Sequence, residues 1–353
     1  MAAAVSVLSP VTSGCLHRFE HVAMACVWEL YLAEADGKYA AQAASAASSE
    51  LDRLEAELSR FMSDSDIARI NAAPVGRPVR VGPATYECLE LALRVHRQTA
   101  GAFDITLAAP RATPRDDAAQ AAEGQPRLTL DRHTRSATRH AEDVVVDLGG
   151  IGKGYALAQL GRVLRAWRIE AGLAHCGQST VLVWGSTPPG GWPIGLRDPH
   201  AAKAELATVY VSTGSLSGSA NVLHGGHVLD PRTARPACGA LAAWAMAPTA
   251  GLADAFSTAF LVLGPQQAAA CCLQDPQLAA VFLVEVEGRR VLKHCGADLR
   301  WKLRHPAAAR PEITRSGLAS AAQRLEETKD ESHFAGFERG GDDDEPGGAR
   351  RGH

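Results

Sequence analysis

The chain has 353 residues and a mass of 37.2 kDa, and its 46% hydrophobic and 21% charged residues supply a core and exclude disorder of the whole chain. A net charge of −3 and a pI near 6.5 exclude a global basic field for nucleic acid or an anionic membrane surface. The 33 glycines and 19 prolines show no collagen-like period.

Residues 1–18 read as a flexible segment. No Lys or Arg precedes their apolar stretch and Ser9–Pro10 breaks it, so no export signal is expected and the sequence as given points to the cytoplasm. His21–Leu32 is expected as the first strand, with Val22, Met24, Cys26 and Trp28 on alternate positions. A helix follows with Leu51, Leu54, Leu58 and Phe61 on one face. A short helix opens near Ser63 or Asp64 and carries Ile67 and Ile70. Pro83 suits the first turn of a helix that runs to about Thr99 and stops at Gly101. Arg111–Gln125, rich in Ala, Asp and Pro, reads as an exposed loop. Val144–Val146 is β-like, and Gly152–Ile169 reads as a helix with Leu160, Leu164 and Trp167 inward. Strands are expected at Thr180–Trp184, Trp192–Arg197, Thr208–Ser212 and Val281–Val286, with a helix at Leu252–Leu263.

Pro236–Ala253 is uncharged, but Pro248 and two glycines interrupt it. A spanning helix needs about 20 strongly apolar residues, so this stretch reads as core and no stable membrane insertion is expected. From His305 onward the composition is charged and rich in Gly and Pro, too polar to offset its ordering entropy. The expected fold is therefore α+β (mixed α/β), a single compact catalytic unit over 19–304 with a disordered tail over 305–353. The eight cysteines contain no CxxC pair and read as small buried hydrophobes of a reducing compartment.

Three constellations carry potential chemistry. Asp147-Leu-Gly-Gly-Ile-Gly-Lys-Gly-Tyr155 follows a β-like run and opens a helix; free N–H groups and the helix dipole favour an anion there. It is neither a Walker A loop nor a Rossmann fingerprint, and a tight turn with a solvated Lys153 is the plain alternative. Asp254, Ser257 and Thr258 share neighbouring positions on an otherwise apolar helix. One carboxylate and two hydroxyls are hard oxygen donors of the kind that suits Mg²⁺, although an acidic residue near a helix N-terminus also satisfies the dipole. In His227-Val-Leu-Asp-Pro-Arg-Thr233 the His could act as a base or be structural. Gly101-Ala-Phe-Asp104 and Ser59–Asn71, taken alone, read as helix ends and turns.

Taken in order, these motifs resemble the FAD:protein FMN transferase (ApbE) family, over about Phe19 to Trp301. The resemblance implies an ApbE-like transferase fold and a flavin site of Met24, Phe61, Ala102, Phe103, Asp104, Asp147, Lys153 and Val228. It further implies a Mg²⁺ ion held by the Gly150 carbonyl, Asp254 and Thr258, with Ser257 where some relatives have a further ligand, and His227 as the base. The implied reaction takes FAD as substrate and attaches FMN to a Ser or Thr of an acceptor protein, releasing AMP. A flavin-binding relative without transfer and an FAD pyrophosphatase giving FMN and AMP are the alternatives. Family members usually carry an export signal in Gram-negative bacteria, which would imply the periplasm. The chain departs from the family pattern at Ser215-Leu-Ser-Gly-Ser-Ala220, at Ala234 and at Gly177-Gln178.

Overall fold

Alternating apolar and polar side chains build the first elements, a short strand β1 (Val5–Val7) and the antiparallel pair β2 (Leu16–Ala23) and β3 (Cys26–Ala33). The computed structural model describes residues 5–7, 16–106, 126–185, 191–201, 204–221, 228–299, 301–303 and 314–315. The single strand expected at His21–Leu32 is a hairpin that reverses at Met24–Ala25, where φ is +50° and +56°. Two successive positive φ values give the tight turn whose twist suits a hairpin. Period-two alternation is the same in one long strand and in the two arms of a hairpin, so the pattern could not place the reversal.

Asp36 caps α1 (Gly37–Leu58), accepting from the Lys38 and Tyr39 N–H groups. Ala40, Ala43, Ala44, Ala47, Leu51, Leu54 and Leu58 form its buried face, at the spacing that keeps side chains on one side. The helix ends before Phe61, which is 82% exposed instead of continuing that face. Ser65 caps α2 (Asp66–Ala72) through the Ala68 N–H, so the helix starts two to three residues later than expected. After β4 (Val79–Arg80), α3 (Pro83–Gln98) starts on its proline and is closed by Ala100 and Gly101 at φ +47° and +79°. Next come β5 (Leu128–Asp131), β6 (Ser136–Arg139), α4 (Gly152–Ala166), β7 (Ala171–Cys176) and β8 (Thr180–Trp184). They lead to β9 (Trp192–Arg197), β10 (Glu205–Val211), β11 (Gly214–Ala220), β12 (Leu229–Asp230), β13 (Arg235–Pro236) and β14 (Ala242–Ala247).

The helix α5 (Ala250–Gln274) is kinked at Gly264–Pro265, where Gly264 has φ +69° and Pro265 cannot donate an N–H. By length and composition it is the one described helix that could cross a membrane; most of its residues are buried against the sheet and the neighbouring helices. The chain continues through β15 (Ala279–Val286), β16 (Arg289–Gly296), β17 (Trp301–Leu303) and β18 (Thr314–Arg315).

A nine-stranded sheet, ordered β18-β16-β15-β14-β11-β8-β7-β3-β2, carries the architecture, antiparallel except for β16 with β18. Alternate residues of each strand face opposite sides. One side, with Trp28, Leu30, Leu182 and Phe282, packs on the helices. The other, with Leu173, Val181, Leu216 and Trp244, packs on the four-stranded sheet β1-β9-β10-β17. Three layers enclose two cores, the mixed architecture expected.

Two boundaries differ from the sequence reading. Within 1–18, Val5–Val7 pairs with β9, Val5 opposite Leu196, and β2 already begins at Leu16. A three-residue strand whose partner lies far along the chain leaves no local signal. Within 305–353, Thr314–Arg315 adds β18 to the sheet. The rest of that tail and the expected loop Arg111–Gln125 lie outside the described residues. Cys88, Cys176, Cys271, Cys272 and Cys295 are buried as expected, whereas Cys238 is exposed.

Candidate active site

The glycine turn is set by an amide rather than by a strand. Val144 and Val146 are fully buried, yet Val146 pairs with the side chain of Asn71: its N–H donates to Oδ1 (2.8 Å) and its carbonyl accepts from Nδ2 (2.9 Å). Asn71 thus presents the donor and acceptor of a neighbouring strand; Val145 forms a single β-bridge, and Val144–Val146 joins none of the sheets of the described residues. The Asp147 N–H donates to the Ile105 carbonyl at 2.8 Å, and Asp147 Oδ1 accepts the Gly149 N–H at 2.8 Å. The turn then enters α4 with Ile151 as a cap that has no side-chain acceptor. An uncapped first turn leaves N–H groups without partners. Here the Gly154 N–H donates to Asp254 Oδ2 on α5, 2.9 Å away and 100 residues on.

Asp254 is the chemical centre of the cluster. It is 6% exposed and pairs with no cation among the described residues. Burial pushes its carboxyl above the ordinary range, against the pull of Lys153, the Gly154 N–H and the Ser217 and Thr180 hydroxyls. The Thr180 and Ser217 hydroxyls lie 3.4 and 3.3 Å from Oδ1. One turn later, Ser257 Oγ donates to the Asp254 carbonyl at 2.8 Å and is fully buried, while the Thr258 hydroxyl sits 3.5 Å from the same carbonyl. Ser219 on β11 contacts both, at 2.8 Å from Ser257 Oγ and 3.2 Å from Thr258 Oγ1.

Gly150 brings the glycine turn to this helix. A Cβ there would stand 3.2 Å from Phe103 Cε2 and 3.4 Å from Thr258 Oγ1. Phe103, Gly150, Thr258 and Asp254 therefore meet. Lys153 folds back with Nζ 3.4 Å from the Gly149 carbonyl. Its charge pulls on Asp254 and also on the Cys26 thiol, which burial pushes up; Met24, at the hairpin tip, is half-buried against the main core. Ala102 is 1% exposed in a small cluster with Ala237 and Val262, against which Val228 packs; this joins the Gly101–Asp104 turn to the strand after His227. Asp104 Oδ1 is held by the Thr106 N–H and hydroxyl, both at 2.7 Å. His227 lies outside the described residues. Phe61 stands away from the buried cluster, with the Arg60 guanidinium 4.4 Å above its ring.

Arg60, Asn71, Thr180, Ser217 and Ser219 are contributors that the sequence reading did not single out. Arg60 Nε lies 3.2 Å from Asp147 Oδ2, joining Phe61 to the glycine turn. The sequence signal for Arg60 and Asn71 was their place in the Ser59–Asn71 motif. Thr180 gave none beyond being polar inside an expected strand, and the only signal for Ser217 and Ser219 is their place in Ser215–Ala220, where the chain departs from the family pattern. A cleft of about 620 Å³ lined by Glu87, Glu90, Arg94, Arg97, Tyr155 and Arg162 contains none of the candidate site residues.

The donor set matches a hard divalent cation. One buried carboxylate without a cationic partner, a threonine hydroxyl and an accessible glycine backbone are oxygen donors only, the chemistry of Mg²⁺ rather than of a softer metal. Among the described residues no group of three or more His, Cys, Asp and Glu is placed to hold a metal.

Comparison with known proteins agrees with the geometry. The FAD:protein FMN transferase of Escherichia coli (strain K12) is 28% identical over 295 residues, covering 75% of this chain and 83% of that protein. The enzyme of the same name from Treponema pallidum is 26% identical over 269 residues, covering 66% of this chain and 74% of the other. Two solved structures share the fold. The apo flavinyl transferase ApbE of Pseudomonas stutzeri has a TM-score of 0.69 at 24% identity, covering 81% of this chain and 96% of its own. The ApbE protein of Thermotoga maritima has a TM-score of 0.69 at 23% identity, covering 80% and 97%. The pattern that defines the ApbE family matches residues 24–282, and the chain belongs to the ApbE family.

Proposed function

We propose that this chain is a Mg²⁺-dependent FAD:protein FMN transferase that moves FMN from FAD to a Ser or Thr hydroxyl of an acceptor protein. The observation that carries the reading is the meeting of a buried carboxylate without a cationic partner, Asp254, with the open glycine turn and Phe103, in a chain of this family. Flavin transfer is also the activity named for the relatives in Escherichia coli and Treponema pallidum.

In this reading Phe61, Met24 and Val228 offer apolar surface to the flavin and the buried Phe103 backs the glycine turn at Gly150, while Asp104 and Asp147 offer acceptors. Lys153 at the N-terminal end of α4 faces the diphosphate, where a helix N-terminus favours negative charge. Mg²⁺ held by Asp254, Thr258 and the Gly150 carbonyl would supply positive charge against that diphosphate. The acceptor hydroxyl oxygen bonds to the FMN-side phosphorus, the bond from that phosphorus to the AMP oxygen breaks, and AMP leaves. His227 takes the hydroxyl proton, since a hydroxyl is a poor nucleophile at neutral pH without a base. Transfer of this kind depends on position and charge rather than on protein covalent chemistry.

The test measures AMP released from FAD with Mg²⁺, together with in-gel flavin fluorescence on an acceptor carrying a Ser/Thr flavinylation site. AMP with labelled acceptor is expected. AMP without labelling would replace the reading by an FAD pyrophosphatase, and bound FAD without AMP would leave a flavin-binding protein.

A further inference from the structure

We propose that the Thr180–Ser217 hydroxyl pair is a positioning device that fixes the Asp254 carboxylate for the cation; the inference rests on the Mg²⁺ reading above. Its basis lies in β11, within the stretch where the chain departs from the family pattern. Side chains alternate along a strand, so Leu216 and Ala220 enter the core between the sheets. Ser215, Ser217 and Ser219 then point to the other side, beneath α5. In β8 the same side carries Thr180, directly opposite Ser217 in the register. Both Thr180 and Ser217 are fully buried, and their hydroxyl oxygens are 2.8 Å apart.

Proton counting defines what the pair delivers. Each hydroxyl has one proton. One hydroxyl donates to the other, and the second proton is left for Asp254 Oδ1, which lies 3.3 Å from Ser217 Oγ and 3.4 Å from Thr180 Oγ1. The Gly154 N–H supplies the donor to Oδ2. A carboxylate has about four acceptor sites, so one donor from α4 and one from the β8–β11 hydroxyl pair set its plane and still leave lone pairs for a cation. An Asp side chain otherwise has a broad terminal torsion, and supporting hydrogen bonds of this kind orient metal ligands. Packing alone does not call for hydroxyls at two fully buried positions where Val and Ala would fill the same volume.

Ser215 is the internal control. It is fully buried on the same strand and the same side, and its hydroxyl has no partner among the described residues.

The experiment uses the full chain with Mn²⁺ as the probe, reading free Mn²⁺ by electron paramagnetic resonance in the presence of FAD. Thermal melts and FAD affinity in EDTA are measured beside it. Thr180→Val with Ser217→Ala is expected to weaken Mn²⁺ binding by roughly 10–100-fold. Ser215→Ala is expected to bind Mn²⁺ as the unsubstituted chain does, and FAD affinity in EDTA is expected to hold in both. Equal Mn²⁺ affinity in the double variant and in Ser215→Ala would overturn the inference, as would a loss of FAD affinity in EDTA matching the loss of Mn²⁺ affinity, the mark of a merely structural role. Asp254→Asn separates the two levels. Undiminished Mn²⁺ binding in that variant would remove the cation reading itself, whereas its loss beside a normal double variant would remove only the role of the hydroxyl pair.

Discussion

Gly154→Ala tests whether the approach of α4 to α5 builds the site. A Cβ at Gly154 would overlap the Ala250 carbonyl oxygen and lie 2.5 Å from Asp254 Cβ and 2.9 Å from the Ala250 carbonyl carbon. Two of these three atoms are backbone, so the helices must separate by roughly 1 Å to regain ordinary contact. Such overpacking costs about 1–3 kcal/mol. The same movement lengthens the hydrogen bond from Gly154 N–H to the buried Asp254 carboxylate, and a bond to a charged group contributes about 1.5–3 kcal/mol. Against this, Ala is better than Gly in a helix by at most about 1 kcal/mol. The net loss is roughly 2–4 kcal/mol, a fall in Tm of about 3–7 °C for a domain of this size. Gly161→Ala lies on the same helix and has the same propensity gain, but its Cβ meets the movable end of Leu182 at 2.5 Å. Scanning fluorimetry of both variants is the assay. Gly154→Ala melting at or above Gly161→Ala would refute the argument that this contact is tight and built on backbone.

Three further outcomes are expected. His227→Ala should lower the transfer rate by about 10²–10⁴-fold while FAD affinity stays near normal; equal losses in rate and affinity would make the His structural. Arg60→Ala removes a half-exposed ion pair to Asp147 and the cation above Phe61, together about 1–2 kcal/mol at most. Flavin-fluorescence titration should show FAD binding weaker by no more than about 5–30-fold, and unchanged binding would detach Arg60 from the flavin site. Burial lowers the pKa of His175, against the pull of Glu29. Its neutral form therefore favours the fold above the unfolded value of 6.5, and that stability is lost as pH falls through the depressed folded value. Melts at pH 7.5 and 5.5 should differ more in the unsubstituted chain than in His175→Gln, and identical differences would exclude His175 as a source of pH dependence.

Much of this protein is written locally in its sequence. Leu51, Leu54 and Leu58 mark the buried side of α1, Pro83 and Gly101 bracket α3, and Thr180–Trp184 and Trp192–Arg197 are strands as their patterns predict. Asp254 and Thr258 share a helix face for the same reason, since helical spacing is a property of the chain segment itself. The order of the motifs was legible too, and it pointed to the family. What the sequence could not decide were relations between segments. A hairpin and a long strand have the same alternation, so the pattern puts Met24 in a strand although it forms the turn. Asn71 substitutes for a strand at Val146, and Asp254 accepts from the first turn of a helix at Gly154, 100 residues earlier. The Thr180 and Ser217 hydroxyls gain their meaning only from strand register. Periodicity reports which side of an element is buried, while the partner of a buried polar atom is chosen by the packing of distant elements. The tertiary structure alone turns Asp254 from one acidic residue on an apolar helix into a buried, oriented carboxylate beside an open glycine turn.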